Sequence, residues 1–314
     1  MPAKKLKKGD TIGVVCPSIG LINDRFEETK FEINSAERFV KELGYKVKYG
    51  KHVYSNTTFY GATAKEKAED INDMYRDNEV KAILSLCGGE NSNSVFEYLD
   101  LDLIKDHNKI ICGYSDATSY INYIHAKTGN IGFIGPGFKT IGPDKVDAED
   151  YTRDLKYCQV NLFKHFENNN YTLLQEDDET EIILNENEIV TGKLIGGNLS
   201  LITLNADYLD FTGKILFIEE LSYESGPERV SSYLYKLKQL GVFKKIKGLW
   251  IGNYESNIAL EKIVMDTIGD LNVKYPIIKS NNFGHGDRIM TIPLGVEAKI
   301  QNRRIELIED YLED

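Results

Sequence analysis

Four short stretches carry residue types that could together break an amide. The first is Lys109-Ile110-Ile111-Cys112-Gly113-Tyr114-Ser115-Asp116-Ala117-Thr118. A short apolar run feeding a Gly-x-Ser step can raise a hydroxyl above the carboxyl edge of a parallel sheet, where it can attack a carbonyl carbon. Taken alone, the step favours a plainer reading, an N-cap or turn serine at the start of a helix. Ala117 also stands where the second glycine of G-x-S-x-G would be. A nucleophilic serine further needs a base, an acid to orient that base, and donors for an oxyanion.

The other three stretches supply such partners. The chain has five histidines: His52, His107, His125, His165 and His285. His52, His107 and His165 lie in polar or charged surroundings and are expected at the surface. His125 falls near the far end of the helix after Ser115, pointing away from the turn. His285 is flanked by Gly284 and Gly286, so its imidazole is free of bulky neighbours; a loop histidine and a presented base are equally good readings. Lys214-Ile215-Leu216-Phe217-Ile218 is an apolar strand ending in Glu219 and Glu220. Successive strand side chains face opposite ways, so only one of the two carboxylates can orient a histidine on a given face. Two solvated acids at a strand end are the plain alternative. Finally, Cys87-Gly88-Gly89-Glu90-Asn91-Ser92 follows an apolar run and opens a helix. Glycines there let backbone N–H groups approach a ligand, although a tight turn would look the same. The stretch lacks the spacing of a dinucleotide fingerprint or a phosphate loop. If its strand adjoins that of Ser115, its N–H groups and that of Asp116 can form an oxyanion hole.

The elements that must position these residues alternate. Thr11–Cys16, Tyr45–Tyr49, Lys81–Leu86 and the run before Gly113 read as strands. Between them, Glu27–Leu43, Thr63–Arg76 (opened by the capping box Thr63-x-x-Glu66), Asn93–Leu99 and Asp116–Lys127 read as helices. Strand–helix alternation with short loops predicts a parallel sheet covered by helices, with the glycine-rich turns at the edge where such sheets bind ligands. Asp147–Phe166 reads as a helix. Asn168–Glu188, with the run Glu176–Glu179, reads as a solvated acidic loop and not a metal site. Beyond it, Ile189–Leu204, Lys214–Ile218, Ile246–Ile251 and Val296–Leu307 read mainly as strands, around one clear helix, Pro227–Leu240. The expected fold class is α/β: an amino-terminal parallel-sheet domain, residues 1–145, a helix and acidic connecting segment, 146–188, and a strand-rich α+β domain, 189–314.

The chain has 314 residues, 41% of them apolar and 28% charged, enough for two ordinary domains. No apolar run approaches the roughly 18 residues of a membrane span. The basic amino terminus lacks the apolar segment of a secretory leader, which points to the cytoplasm. A net charge of −11 argues against a nucleic-acid or anionic-membrane partner. The four cysteines, Cys16, Cys87, Cys112 and Cys158, form no C-x-x-C pair and read as reduced thiols, mostly buried.

With these pieces assembled, the sequence resembles the LD-carboxypeptidases, serine peptidases that include muramoyltetrapeptide carboxypeptidases and microcin C immunity proteins. The resemblance runs in order through Gly9-Asp-Thr-Ile-Gly-Val-Val-Cys-Pro-Ser18, Gly88-Gly-Glu-Asn-Ser-Asn-Ser94, Gly113-Tyr-Ser-Asp116, Ala126-Lys-Thr-Gly129, Gly135-Pro136, Gly196-Gly-Asn198, Leu216-Phe-Ile-Glu219, Phe283-Gly-His-Gly286 and Pro293-Leu-Gly295. It implies Ser115 as nucleophile, Glu219 as acid and His285 as base, with the N–H groups of Asp116 and Gly88 as oxyanion donors. Gly89, Asn91, Asn198 and Arg288 are the candidates for substrate binding. It also implies a homodimer without metal or cofactor. The substrate it implies is a cytoplasmic murein tetrapeptide that loses its terminal D-alanine, or alternatively the amide of an aminoacyl-nucleotide antibiotic. Asn91-Ser-Asn-Ser94 looks like the immunity branch, whereas Phe283-Gly-His-Gly286 looks like the peptidoglycan branch. The immunity branch carries a tryptophan-bearing loop before Gly-Gly-Asn. Here the lone tryptophan, Trp250, lies elsewhere, and the acidic 168–188 segment suits a nucleotide phosphate poorly.

Overall fold

A computed structural model describes residues 1–19, 26–58, 61–142, 154–175 and 180–314. In the first half, β1 (Ala3–Lys4) and β2 (Thr11–Val15) precede α1 (Phe26–Glu42), β3 (Lys46–Tyr49), α2 (Ala64–Arg76) and β4 (Val80–Ser85). A short 3-10 helix, Ser92–Tyr98, then leads to α3 (Leu101–Asp106), β5 (Ile110–Gly113), α4 (Ala117–Thr128) and β6 (Phe133–Ile134). The capping box that opens α2 forms: Thr63 Oγ1 accepts from Glu66 N, and Glu66 Oε2 accepts from Thr63 N at 2.8 Å. Strands β3, β2, β4, β5 and β6 pair in parallel in that order. The turns after β4 and β5 therefore leave the sheet side by side at its carboxyl edge.

The second half begins with α5 (Leu155–Glu167), β7 (Thr172–Leu174), β8 (Thr180–Leu184), β9 (Val190–Asn198) and α6 (Leu199–Leu204). It continues through β10 (Ile215–Glu219), α7 (Pro227–Gln239), α8 (Val242–Lys245), β11 (Gly248–Ile251), α9 (Leu260–Ile268) and β12 (Ile277–Ser280), and ends with β13 (Ile292–Pro293), β14 (Glu297–Gln301), β15 (Arg304–Leu307) and β16 (Leu312–Glu313). An eight-stranded sheet runs β7-β15-β14-β9-β10-β11-β12-β8, with β9 to β12 parallel. Side chains along its centre alternate between two cores. Ile195, Leu216, Ile218, Leu249 and Ile251 pack with α6, α7 and α9. Leu194, Ile215, Phe217 and Trp250 pack into the core shared with the first sheet. Both faces of a parallel region are covered, which is why its strands read as unbroken apolar runs.

Several expectations change. The 168–188 segment, read as a loop, contributes β7 and β8 to opposite edges of the second sheet; β7 has only three residues and β8 is mostly half-buried, so neither carries a clear apolar pattern. The acidic run Glu176–Glu179 and the start of the expected Asp147–Phe166 helix lie outside the described residues. Ile189–Leu204 is strand only to Asn198 and then turns into α6. The halves also interlock: β13 adds to β6 of the first sheet, and β1 pairs with β16.

His165, expected at the surface, is fully buried in α5. Its Nδ1 faces the Tyr311 hydroxyl at 2.8 Å and its Nε2 the Asn170 amide at 3.1 Å, so the imidazole keeps both hydrogen bonds inside the core. Burial holds its pKa down at about 3. Cys158, Leu162, His165 and Phe166 follow the i, i+4, i+7, i+8 spacing of one buried helix face.

Candidate active site

Ser115 sits between β5 and α4 with φ of +59°, a left-handed conformation that a serine seldom adopts. Such backbone strain persists only where its surroundings impose it. The turn closes through Ala117 N to Tyr114 O at 3.2 Å and Thr118 N to Ser115 O at 2.9 Å. Asp116 follows as the first residue of the helix cap, in helical conformation.

Gly88 lies against this serine. A Cβ on Gly88 would stand 2.8 Å from Ser115 Cβ, 2.9 Å from Ser115 Oγ and 3.9 Å from the Asp116 amide nitrogen. The two turns are therefore in contact, and the space in front of the hydroxyl exists because Gly88 lacks a side chain. Gly88→Ala keeps an ordinary φ, but its Cβ would press on Ser115 Cβ and displace the serine turn, and hydrolysis and serine-probe labelling are expected to fall at least about 100-fold, the size of loss known from disturbed oxyanion sites. Kinetics together with a melting curve check this. Gly89 (φ +131°) packs over Ile19, and Asn91 (φ +77°) begins the 3-10 helix.

Glu219 ends β10 and is buried at 2% exposure. Its Oε2 accepts from His285 Nδ1 at 2.6 Å and from the His285 backbone N–H at 3.1 Å. The proton is thus on Nδ1, and Nε2 is the lone-pair nitrogen. Gly284 (φ +100°) makes the approach possible, because a Cβ there would lie 2.6 Å from Glu219 Cβ. The histidine loop is also held from below: Asn253 Nδ2 donates to His285 O at 2.6 Å, and Asn253 N to Phe283 O at 3.0 Å. Burial alone would lower the His285 pKa. The charge and hydrogen bond of Glu219, helped by Glu220 and Glu224, outweigh it and raise the pKa above its ordinary value.

The histidine loop approaches the serine turn across the halves. The His285 ring lies 5.2 Å from the ring of Tyr114, the residue before the serine. Asn198 N donates to Thr118 Oγ1 at 3.2 Å, which ties β9 to α4. Glu220, the alternative acid, points elsewhere. It accepts from Asn198 Nδ2, Ser200 N and Leu221 N, all at 2.9 Å, and burial raises its pKa, with Glu219 adding to the rise.

Two substrate-binding candidates have other engagements. Asn198 is 3% exposed; besides holding Glu220, its Oδ1 accepts from Ser200 Oγ at 2.5 Å and caps α6, so it braces the acidic strand end. The Arg288 guanidinium pairs with Asp154 at 3.4 Å and lies 5.3 Å from the Tyr157 ring centroid. His125 is bonded to Asn130 O at 2.8 Å, away from the serine. Trp250, buried on β11, donates to Ser280 Oγ at 3.0 Å and packs edge-on against Phe283. Among the described residues no group of three His, Cys, Asp or Glu side chains is arranged to hold a metal ion, and no helix is long and apolar enough to cross a membrane. Asn253 carried no signal in the sequence, and Tyr114 stood in the Gly-Tyr-Ser-Asp motif with no role assigned, because their partners are remote along the chain.

Comparison with known proteins gives the same ordering of parts. Residues 12–135 match the family model of the LD-carboxypeptidase N-terminal domain, and residues 191–300 that of the LD-carboxypeptidase C-terminal domain. A probable murein peptide carboxypeptidase of Bacillus subtilis is 32% identical, with 94% of this chain and 90% of that protein covered. The microcin C7 self-immunity protein MccF of Escherichia coli is 30% identical, with 99% and 96% covered. The crystal structure of an MccF-like protein from Bacillus anthracis superposes with a TM-score of 0.86 at 29% identity, covering 99% of this chain and 100% of that one.

Proposed function

The chain belongs to the LD-carboxypeptidase family, and from that premise we propose that it releases terminal D-alanine from murein tetrapeptides through Ser115, His285 and Glu219. The observation that carries this reading is the 2.6 Å contact between Glu219 and His285 Nδ1, on a loop that lays the imidazole beside the Ser115 turn. In this mechanism His285 Nε2 takes the Ser115 proton as Oγ attacks the amide carbonyl between the diamino acid and D-alanine. Glu219 fixes the ring and stabilises the imidazolium that forms. The N–H groups of Gly88 and Asp116 receive the oxyanion. His285 then protonates the leaving amine, and water, deprotonated by the same nitrogen, resolves the acyl-enzyme. The same reading makes the protein a cytoplasmic homodimer.

A second reading is hydrolysis of an aminoacyl-nucleotide amide. The Asn91–Ser94 stretch and the likeness to MccF favour it. Against it, the single tryptophan is locked in the core by Ser280 and Phe283 and offers no face to a base. Side-by-side assays decide. D-alanine is expected from a defined tetrapeptide, at a kcat/KM at least tenfold above that for an aminoacyl sulfamoyl adenosine. The reverse ratio sinks the murein assignment, and no turnover of either sinks both.

A further inference from the structure

The two turns that would hold the oxyanion are joined by a pair of hydrogen bonds that none of the roles above requires. Ser92 donates both: its N–H to Asp116 Oδ2 at 2.9 Å, and its Oγ to Asp116 O at 2.6 Å. Both residues are almost completely buried, Ser92 at 0% and Asp116 at 1% exposure. The carboxylate that accepts from Ser92 N caps the start of the 3-10 helix from a distant segment. Asn91, the residue in the cap position of the 3-10 helix, makes no side-chain cap bond of its own, and the Asp116 carboxylate serves instead. The Asp116 side chain in turn makes no cap bond to its own helix, α4. Its carboxylate thus faces the Gly88 turn and not the helix it begins.

The placement of this pair matters. Ser92 follows Gly88 by four residues, and Asp116 is the other donor's own residue. We propose that Ser92 and the Asp116 carboxylate are positioning residues that set the spacing between the Gly88 and Asp116 N–H groups. Neither side chain touches the substrate. Their effect passes through the backbone: one bond fixes the start of the 3-10 helix to the serine turn, and the other fixes the Asp116 peptide. Burial excludes water from both bonds, so a substitution cannot be replaced by solvent without opening the packing. Burial raises the Asp116 pKa above its ordinary value, a rise that the Ser92 hydrogen bonds and the charge of Lys67 reduce but do not cancel. The same geometry explains why an aspartate suits the position after the nucleophile. It must supply a backbone donor on one side and a carboxylate acceptor on the other.

The inference rests on Ser115 being the nucleophile, and the test separates the two. An alkyl fluorophosphonate is the probe, and its maximal labelling rate and half-saturating concentration are measured separately for wild type, Ser92→Ala, Ser92→Thr and Asp116→Asn. Ser92→Ala is expected to lower the maximal rate about tenfold with the half-saturating concentration unchanged, because a displaced donor weakens the transition state and not the encounter. Ser92→Thr keeps the hydroxyl and is expected to recover most of the rate. Asp116→Asn keeps an acceptor oxygen and should lie between. A Ser92→Ala protein labelled at the wild-type rate, or a Ser92→Thr protein no faster than Ser92→Ala, overturns the proposal while the nucleophile reading stands. Wild-type protein that resists the probe overturns the nucleophile reading and this one with it. Melting temperatures recorded alongside identify a variant that fails to fold, in which case the threonine and asparagine variants carry the comparison.

Discussion

Ser115→Ala is expected to lower kcat by roughly a million-fold, the loss seen when the nucleophile of a serine hydrolase is removed. The fold should survive. The hydroxyl makes no hydrogen bond that holds the turn; the closing bonds are backbone ones, from Ala117 N and Thr118 N. Alanine meets the same left-handed φ of +59° as serine, so the strain is unchanged. The unfolding midpoint is therefore expected within a few degrees of wild type. Substrate affinity should also persist, because the binding surface is untouched. Calorimetry of tetrapeptide binding to the variant, beside D-alanine release, checks both halves. A variant that retains a tenth of wild-type turnover would remove Ser115 from the mechanism.

The second large effect is expected at Glu219. Glu219→Gln should lower kcat about 10⁴-fold, because the amide no longer enforces the Nδ1 proton and no longer stabilises the imidazolium. The pH profile gives an independent reading. On the proposed mechanism catalysis needs His285 neutral, so activity is expected to fall as pH drops through its pKa. That pKa is raised above 6.5 chiefly by Glu219, which opposes the burial pulling it down. The acid limb of wild-type kcat/KM should therefore lie above the ordinary histidine value. Removing the carboxylate charge takes away its main support, so the limb of the variant should move to lower pH. A limb that stays in place would mean that another group titrates there. The buried pair also stabilises the protonated histidine. Its contribution to stability is fully present below 6.5 and is lost as pH rises through the raised pKa.

How much of this was legible before the fold was known depends on the range over which each cause acts. The turn at Ser115, the capping box at Thr63 and the first parallel sheet follow from local patterns, and they are where those patterns place them. The choice between Glu219 and Glu220 needed one more fact, namely which face of β10 meets the other half. Ile215 and Phe217 lie in the shared core, so parity puts Glu219 on that face and Glu220 on the face of α6. The burial of His165 was readable from its spacing with Leu162 and Phe166 but was hidden by its polar neighbours Lys164 and Asn168. Edge strands β7 and β8 were missed because β7 is only three residues long and the half-buried β8 carries little apolar signal. Asn253 was not legible at all, and Ser92 and Tyr114 stood within motifs that assigned them no role. Their roles are contacts to residues between 24 and 171 positions away, as in Ser92 to Asp116 and Tyr114 to His285, and a single sequence does not encode such distances in any local pattern.

Strand β5 presents Ser115, whereas β10 and the loop at Phe283 present Glu219 and His285. On the proposed mechanism neither sheet alone holds a complete set of reacting groups, so the chemistry would work as an AND gate whose two inputs are the folded halves. A nascent chain or a loosened conformer with the sheets undocked would be inert towards amides. Turnover thus reports assembly as well as integrity. The two halves expressed as separate polypeptides would form a split reporter, silent apart and active when brought together.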